Sequence, residues 1–360
     1  MMHETPSVAE VRSVLAEFQD PETGRSIVQL EQIHNLHLAD GKLSLTLGLT
    51  TWAAPMWEQT RTELAALLKQ RFPSLEVCIT LVEHHRPAEK LSEIGLAAKT
   101  VLAVGSGKGG VGKSSFAVYL AYGLHRAGCK VGLMDADFYG PSIPYLLGCR
   151  ERPHLIDGRI QPATIDGLQL MSVGLLAPDS EAVIWRGPML HNALRQLLKD
   201  TAWAEMDYLI VDLPPGTGDV AISLSQLMPT SAAVVVCTPQ DVALLDAVKA
   251  IAMFRRIGLE VVGMVENMSY FICPHCQSRH DIFGHGGAKR RAEELALPFL
   301  GAVPLLPELR TSGDAGQAGK AFNIPSAAAA LEEICRNVSA ELIRRRKRQP
   351  VMPTLPIIGG

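Results

Sequence analysis

The 360-residue sequence lacks any uninterrupted apolar run of the roughly 18 residues that a membrane-spanning helix needs. Its N-terminal segment also lacks the basic start and apolar core of a secretory signal peptide. Neither sign of charge predominates, since 37 Asp and Glu oppose 34 Lys and Arg and the net charge is -3. Such a balance gives no general attraction for nucleic acid or anionic lipid. We therefore expect a cytoplasmic protein with neither nucleic acid nor membrane as a partner.

Cysteine is scarce and odd in number, with seven residues in a chain too long to need disulfide bonds for its core. This indicates a reducing compartment and free thiols. Five cysteines stand singly among apolar neighbours and are expected to be small core residues: Cys78, Cys129, Cys149, Cys237 and Cys335. The exceptions are Cys273 and Cys276, which form a CxxC pair.

Residues 1–83 predict a small α/β domain. Ser7 and Glu10 form a capping box at the start of a helix. An Asp40-Gly41 turn separates two β-rich runs at 33–38 and 43–49, and a helix at about 55–69 and a strand at 75–81 follow. The segment 84–99 is charged and has no strand period, and we interpret it as a linker.

Residues 100–348 alternate short apolar strands with segments of helical length, which predicts a mostly parallel, doubly wound α/β sheet. The predicted strands lie near 101–105, 130–135, 168–173, 207–213, 231–237, 260–265 and 298–303. A helix at 326–345 closes this domain, and residues 349–360 are expected to be a flexible tail. Asp135 at the end of the second strand suits either a turn or the functional site.

A glycine-rich loop follows the first of these strands and precedes an apolar helix, which is the context of a phosphate-binding P-loop. Its backbone N–H groups converge on phosphate oxygens at a helix N-terminus. We expect Lys113 to contact the β and γ phosphates of ATP and Ser114 to bind Mg²⁺. The predicted nucleotide-binding residues of the loop are Gly107, Lys108, Gly109, Gly110, Val111, Gly112, Lys113, Ser114 and Ser115.

The extra lysine at position 108 resembles the deviant P-loop of the MinD, ParA and nitrogenase iron-protein class. The resemblance implies a homodimer in which Lys108 reaches the nucleotide of the partner subunit. It also implies that Asp137 orients the attacking water, that Asp212 holds Mg²⁺ and that the Gly216 N–H senses the γ-phosphate. Asn267 stands where this class recognises adenine. We expect ATP hydrolysis, with Lys108, Lys113, Asp137 and Asp212 as the catalytic residues.

The CxxC pair supplies two soft ligands, whereas tetrahedral zinc and iron-sulfur clusters need about four. A face-to-face dimer would supply four thiolates, and we therefore favour a cluster that bridges two subunits. Two alternatives stay open. His275, His280 and His285 could complete a zinc site within one subunit, or the pair could act as a redox couple.

These motifs together resemble the Mrp/ApbC family of iron-sulfur cluster carrier ATPases over residues 100 to about 345. The resemblance rests on the P-loop, the CxxC pair and three motifs, 135–142, 212–219 and 266–269. It implies a labile 4Fe-4S cluster bound by Cys273 and Cys276 and passed to apoproteins. The N-terminal domain resembles that of other iron-sulfur assembly factors, which are further expected partners. Because Ala54 stands where that domain often has cysteine, we expect it to bind no metal.

A positioning ATPase of the MinD or ParA kind, which grips membrane or DNA, is the alternative from another functional class. The basic run Arg344–Arg348, after a partly amphipathic helix, and the apolar residues Leu355–Ile358 are the features that would support it. The same basic run also suits a solvated helix C-terminus. The positioning hypothesis leaves the CxxC pair without a role.

Overall fold

The computed structural model describes residues 6–176, 187–216, 218–229, 231–273, 275–276 and 278–348. The chain divides into two compact units. One comprises Met1–Arg86 together with Ser339–Gly360, and the other comprises Pro87–Val338. The predicted tail at 349–360 lies outside the described residues.

The first unit contains a three-stranded sheet in the order β1-β2-β3, in which β1 and β2 are antiparallel and β2 and β3 parallel. Ser7 and Glu10 form the predicted capping box, with each side chain accepting a hydrogen bond from the other residue's backbone N–H. Two α-helices, a 3-10 helix at Thr51–Met56 and the C-terminal part of the last helix, from Ser339 onward, complete the unit. Its elements are α1 Val8–Glu17, β1 Ile33–Ala39, β2 Lys42–Leu49, α2 Trp57–Arg71 and β3 Glu76–Glu83.

The core prediction is wrong for Cys78, which is exposed, and Cys149 is only half-buried. Cys78 lies on the edge strand β3, where Ile79 is buried and the flanking Cys78 and Thr80 are exposed. Successive side chains of a strand point to opposite faces, so the apolar neighbours of Cys78 do not share its environment.

The second unit contains the mostly parallel sheet that the sequence predicts. Its strands, whose bounds are given at the end of this paragraph, lie in the order β16-β13-β12-β5-β11-β6-β10-β9. Only β9 and the short β4 pair antiparallel with their neighbours in this sheet, among the described residues. Its elements are β4 Lys90–Leu91, β5 Leu96–Ser106, α3 Lys113–Arg126, β6 Val131–Asp135, α4 Ile143–Leu146, β7 Leu155–Ile156, β8 Arg159–Ile160, β9 Ala163–Ile165, β10 Leu168–Ser172, α5 Val173–Leu176, α6 Gly187–Lys199, β11 Met206–Asp212, α7 Asp219–Leu227, β12 Ala232–Cys237, α8 Asp241–Arg256, β13 Glu260–Glu266, β14 Phe271–Ile272, β15 Arg279–His280, α9 Gly287–Glu294, β16 Phe299–Ala302, α10 Pro307–Asp314 and α11 Pro325–Arg348.

The topology brings the predicted site residues to one edge of this sheet. Strand β5 is central, with β11 on one side and β12 on the other, so the P-loop leaves the middle of the sheet. The parallel strands β6, β11 and β13 end at Asp135, Asp212 and Glu266. Ligands of open α/β sheets bind at this carboxyl edge.

The segment 84–99, which the sequence pattern predicts to be a linker, contains β4 and the start of β5. The charged Lys99 interrupts the apolar pattern by which the start of β5 could have been recognised in the sequence. In the structure the Lys99 side chain is only 6% exposed, and its Nζ lies 3.4 Å from Oδ1 of the buried Asp207. A paired lysine therefore occupies a position that would otherwise be apolar. The division into domains at these residues stays a prediction.

The basic run at the end of α11 is engaged within the first unit. Arg344 and Arg345 each donate a hydrogen bond of 2.7 Å to the buried carboxylate of Glu341. The Arg346 guanidinium lies 4.1 Å from the ring centroid of the buried Trp52. These contacts give the three arginines a structural role, which weakens the case for a membrane or DNA contact here. Residues Leu355–Ile358 lie outside the described residues.

None of the described helices is both long and apolar enough to pass through a lipid bilayer.

We expect Lys99→Ala to destabilise the second unit, because it leaves the buried Asp207 carboxylate without its cation. Loss of one partner of a buried ion pair costs about 3–5 kcal/mol. Lys90→Ala, at an exposed position of β4, is the matched control and should change the unfolding free energy by less than about 0.5 kcal/mol. Urea unfolding of both variants measures the difference, and equal losses would contradict the structural role of Lys99.

Candidate nucleotide site and cysteine pair

The P-loop connects the central strand β5 to the N-terminus of α3. Gly110 and Gly112 adopt left-handed backbone conformations, with φ of 80° and 78°, which only glycine adopts readily. Gly112 directly precedes α3, whose first N–H groups have no partner within the helix and carry the positive end of its dipole. A cavity of about 280 Å³ opens here, lined by the loop and by Asp137, Ser142, Tyr145 and Pro215. This is an anion-binding geometry.

Two loop glycines are required by close packing as well. A Cβ atom at Gly107 would lie 2.1 Å from the backbone carbon of Asp246 in α8. A Cβ atom at Gly112 would lie 2.2 Å from Nδ2 of Asn267. A larger side chain at either position would displace the loop from the elements that support it.

Lys113 lies among the predicted catalytic side chains. Its Nζ is 2.7 Å from Oδ1 of Asp212, 3.6 Å from Oδ2 of Asp137 and 3.1 Å from Oγ of Ser114. The side chains of Lys113 and Asp212 are buried, and that of Asp137 is nearly so. The structure thus brings together Lys113, Ser114, Asp137 and Asp212. The two carboxylates neutralise the charge of the lysine, which phosphate would neutralise in a nucleotide complex.

Asp212 has one oxygen available for a further ligand. Its Oδ2 is fully buried, and no described residue forms a hydrogen bond with it. Burial raises the pKa of Asp212, and the adjacent Lys113 ammonium opposes that shift. A hydroxyl and a carboxylate oxygen are ligands that Mg²⁺ accepts directly or through water. The residues present therefore fit Mg²⁺ at Ser114 and Asp212.

Asp135 supports the neighbouring loop. It pairs in register with Asp212 across β6 and β11, and both carboxylates are buried. Its oxygens accept hydrogen bonds from the N–H groups of Asp137 and Ile143 and from Oγ of Ser172. Burial and the Asp212 carboxylate raise the pKa of Asp135 to about 7. These contacts correspond to the turn interpretation, and they hold the loop that carries Asp137.

Gly216 and Lys108 each form a hydrogen bond with Ser106, the last residue of β5. The Gly216 N–H donates a 2.8 Å hydrogen bond to the Ser106 carbonyl, and the Ser106 hydroxyl donates one of 3.0 Å to the Lys108 carbonyl. A γ-phosphate would have to compete with Ser106 for the Gly216 N–H. The Lys108 side chain is half-buried and has no ion-pair partner in the part of the chain that the structure describes.

Asn267 lies against the P-loop, and its Nδ2 donates a 2.8 Å hydrogen bond to the Val111 carbonyl. The structure therefore gives Asn267 a contact with the loop backbone, and its contact with adenine stays a prediction. The preceding residue, Glu266, belongs to the motif 266–269, but no role of its own was assigned to it from the sequence. Its carboxylate is 1% exposed and binds Ser269 and the Ala288 N–H. An acidic residue at the end of an apolar strand is the signal that could have identified it.

The cysteine pair lies at the turn of the β14–β15 hairpin. Cys273 is half-buried, Cys276 is exposed, and the Cys273 N–H donates a 3.0 Å hydrogen bond to the Ser278 carbonyl. Hydrogen bonds with Ser278 lower the pKa of Cys276, which favours the thiolate that binds metal. Among the described residues of this turn no helix begins, so the redox alternative lacks the helix N-terminus that usually activates such a pair.

His275 lies between the two cysteines and is exposed, whereas the other two candidate histidines make contacts of their own. His280 packs its ring against Phe271 at 6.3 Å, and His285 Nδ1 is 2.8 Å from a guanidinium nitrogen of Arg279. Among the residues that the structure describes, no three His, Cys, Asp or Glu side chains are grouped to hold a metal ion. Within one subunit, the described residues thus provide the two cysteines as possible metal ligands and no grouped third ligand.

Both units of the chain are similar to known protein families. Residues 97–339 match the family described as NUBPL iron-transfer P-loop NTPase, and residues 8–78 match the family described as iron-sulfur cluster assembly protein. An iron-sulfur cluster carrier protein of Deinococcus radiodurans is 44% identical over 331 residues, which cover 91% of this chain and 93% of the relative.

Two solved structures are similar to the second unit's P-loop fold. A nucleotide-binding protein from Archaeoglobus fulgidus in complex with ADP is 37% identical, with a TM-score of 0.56 over 62% of this chain and 88% of that protein. The cell division ATPase MinD of Pyrococcus furiosus is 22% identical, with a TM-score of 0.50 over 66% of this chain and 98% of that protein, and shows the fold alone. On its sequence and its site, this chain belongs to the family of iron-transfer P-loop NTPases that includes the iron-sulfur cluster carrier proteins.

Proposed function

We propose that this protein is a cytoplasmic ATPase that, as a homodimer, carries one 4Fe-4S cluster between its two CxxC pairs and transfers it to apoproteins. The observation that carries the proposal is the exposed hairpin with Cys273 and Cys276. It holds one half-buried and one exposed cysteine and, among the described residues, no third ligand. Two copies would supply the four thiolates that a cluster needs.

The charge arrangement at the P-loop supports ATP hydrolysis. The β and γ phosphates of ATP would replace the carboxylates that now neutralise Lys113. Asp137 would then be released to orient the attacking water, and Ser114 and Asp212 would hold Mg²⁺, which offsets phosphate charge. Gly216 would exchange its hydrogen bond with Ser106 for one to the γ-phosphate. Asn267 would hold the loop and border the adenine.

The position of Lys108 supports a dimeric active unit. The loop segment beside it, Gly109 and Gly110, is exposed, and the lysine lines the cavity opening. We propose that Lys108 of each subunit stabilises phosphate charge in the site of its partner, as a cationic finger does. Face-to-face pairing of the two P-loops would bring the two cysteine hairpins to one shared interface.

Exposure of the pair suits a cluster that must leave. Cys276 is exposed, and its hydrogen bonds with Ser278 lower its pKa, which favours the thiolate form that binds metal. A cluster at an interface is open to the thiols of an incoming apoprotein, and ligand exchange needs no unfolding of the carrier. The first unit, which has Ala54 in place of a possible thiol, would contribute recognition of apoproteins or assembly factors and no ligand.

We expect Lys113→Ala to lower ATP turnover by on the order of 10²–10³, because it removes the charge directed at the β and γ phosphates. Lys249→Ala, at an exposed surface ion pair on α8, is the matched control and should keep wild-type turnover. Phosphate release assays on the folded proteins provide the measurement. Wild-type turnover in Lys113→Ala would refute the P-loop assignment.

We expect Lys108→Ala to lose ATP turnover as well, and to recover part of it when mixed with Lys113→Ala. In a mixed dimer, one site combines an intact Lys113 with the partner's intact Lys108. Turnover measured on affinity-purified mixed dimers tests this arrangement. Dimers that contain both subunits and remain inactive would exclude a crossing role for Lys108.

We expect Cys273→Ser and Cys276→Ser to lose most bound iron and sulfide after anaerobic reconstitution, because serine oxygen is a harder and poorer ligand for iron. ATP binding should persist, since the pair lies outside the P-loop. Cys78→Ser, an exposed cysteine of the first unit, is the matched control and should keep its cluster. The zinc alternative predicts a colourless protein whose metal is lost on substitution of His280 or His285.

A further inference from the structure

A short segment, residues 266–273, connects the P-loop to the cysteine pair. Its P-loop end is Asn267, whose Nδ2 donates to the Val111 carbonyl and whose N–H donates a 2.8 Å hydrogen bond to the Cys237 carbonyl. The same Nδ2 lies only 2.2 Å from the position that a Cβ of Gly112 would take. Asn267 is therefore in tight contact with the loop residue that precedes α3, and a shift of the loop displaces it.

The Glu266 carboxylate ties this connecting segment to the element on the other side of the hairpin. Its Oε1 accepts a 2.6 Å hydrogen bond from Ser269 Oγ, and its Oε2 accepts one of 2.8 Å from the Ala288 N–H in the first turn of α9. A buried carboxylate depends on such donors, because it has exchanged water for them. Glu266 thus holds the residues before and after the cysteine hairpin in one arrangement.

The rest of the connecting segment has little freedom to absorb a displacement. The Ser269 N–H donates to the Val303 carbonyl at 2.9 Å, and the Tyr270 carbonyl accepts from the Leu305 N–H at 2.7 Å. Met268, between Asn267 and Ser269, has a φ of 54°, a strained left-handed conformation for a side chain of its size. Strained backbone is kept only where surrounding contacts hold it, and it is common in switch regions.

We propose that Glu266 and Ser269 are positioning residues that couple nucleotide binding at the P-loop to the geometry and accessibility of Cys273 and Cys276. A nucleotide that moves the loop pulls Asn267, and the Glu266–Ser269–Ala288 contacts carry the movement to the hairpin. By linkage, a nucleotide that changes the cargo affinity of the pair has its own affinity changed by the same factor. The identity of the cargo rests on the proposed function, whereas the mechanical link between loop and thiols does not.

Thiol reactivity in the cluster-free full-length protein tests the link. The rate of iodoacetamide alkylation at Cys273 and Cys276, relative to the exposed Cys78, is followed by peptide mass spectrometry with and without magnesium and a non-hydrolysable ATP analogue. We expect the analogue to change the wild-type ratio by about fivefold or more, which is the lower range of allosteric coupling. In Ser269→Ala, the change should fall below about twofold, although the analogue still binds.

Ser231→Ala is the matched control, because it also removes a buried hydroxyl with a 2.6 Å hydrogen bond, here to the Met228 carbonyl. It should keep the wild-type response. Glu266→Ala is a second disrupting variant, should Ser269→Ala fail to fold. Glu266→Gln should restore coupling, because its amide can accept from the Ala288 N–H and donate to Ser269 Oγ. If Glu266 served only to stabilise the fold, Glu266→Ala and Glu266→Gln would not differ in the nucleotide-dependent change of the alkylation ratio.

A wild-type response below twofold, or a full response in folded Ser269→Ala, would overturn the proposal; the second result would assign the response to occlusion at a dimer interface. Iron and sulfide analysis of the same preparations after reconstitution separates the two proposals. A protein with nucleotide-dependent thiols and no cluster would refute the proposed function and leave the coupling intact.

Discussion

The buried ion pair between Lys113 and Asp212 is the interaction on which the functional edge of the sheet depends. The lysine begins α3, the aspartate ends β11, and their charged atoms are 2.7 Å apart in a region closed to water. Each charge alone would be costly there, since burial of an unpaired charge requires several kcal/mol. The ion pair therefore holds the end of the P-loop against the end of β11 in the absence of a nucleotide. Under the proposed function, phosphate would replace the carboxylates around Lys113 and leave Asp212 to hold Mg²⁺.

The sequence was informative where the chemistry restricts residue choice. Glycines at 107, 110 and 112 are required by close contacts and by positive φ, so the P-loop could be recognised without a structure. The apolar runs of buried parallel strands were equally clear. Long-range pairing was not visible. The burial of Lys99 depends on Asp207, and that of Glu266 depends on Ala288, partners distant along the chain. A charged residue is predicted to be exposed when its partner is not known. For this reason the sequence revealed neither the strand position of Lys99 nor the structural role of Glu266.

The cysteine hairpin differs from the nucleotide site in almost every physical respect. Lys113 and Asp212 of the nucleotide site are buried and closely paired, whereas the cysteine pair lies at an exposed turn with few contacts of its own. This contrast suits a division of labour in which a rigid site binds and hydrolyses ATP while an accessible site receives and releases cargo. The segment that joins them is short and closely hydrogen-bonded, so the two sites need not be independent. The first unit, with its basic helix end held by Glu341 and Trp52, is a separate compact structure.

The central claim is that two copies of the chain hold one cluster between their CxxC pairs. Native mass spectrometry of the anaerobically reconstituted protein tests it most directly, because it reports oligomeric state and bound mass together. The account predicts a dimer that carries the mass of a single 4Fe-4S cluster and that returns to lower mass when an apoprotein accepts the cluster. A monomer that retains one zinc ion, with no iron or sulfide in any dimeric species, would contradict it.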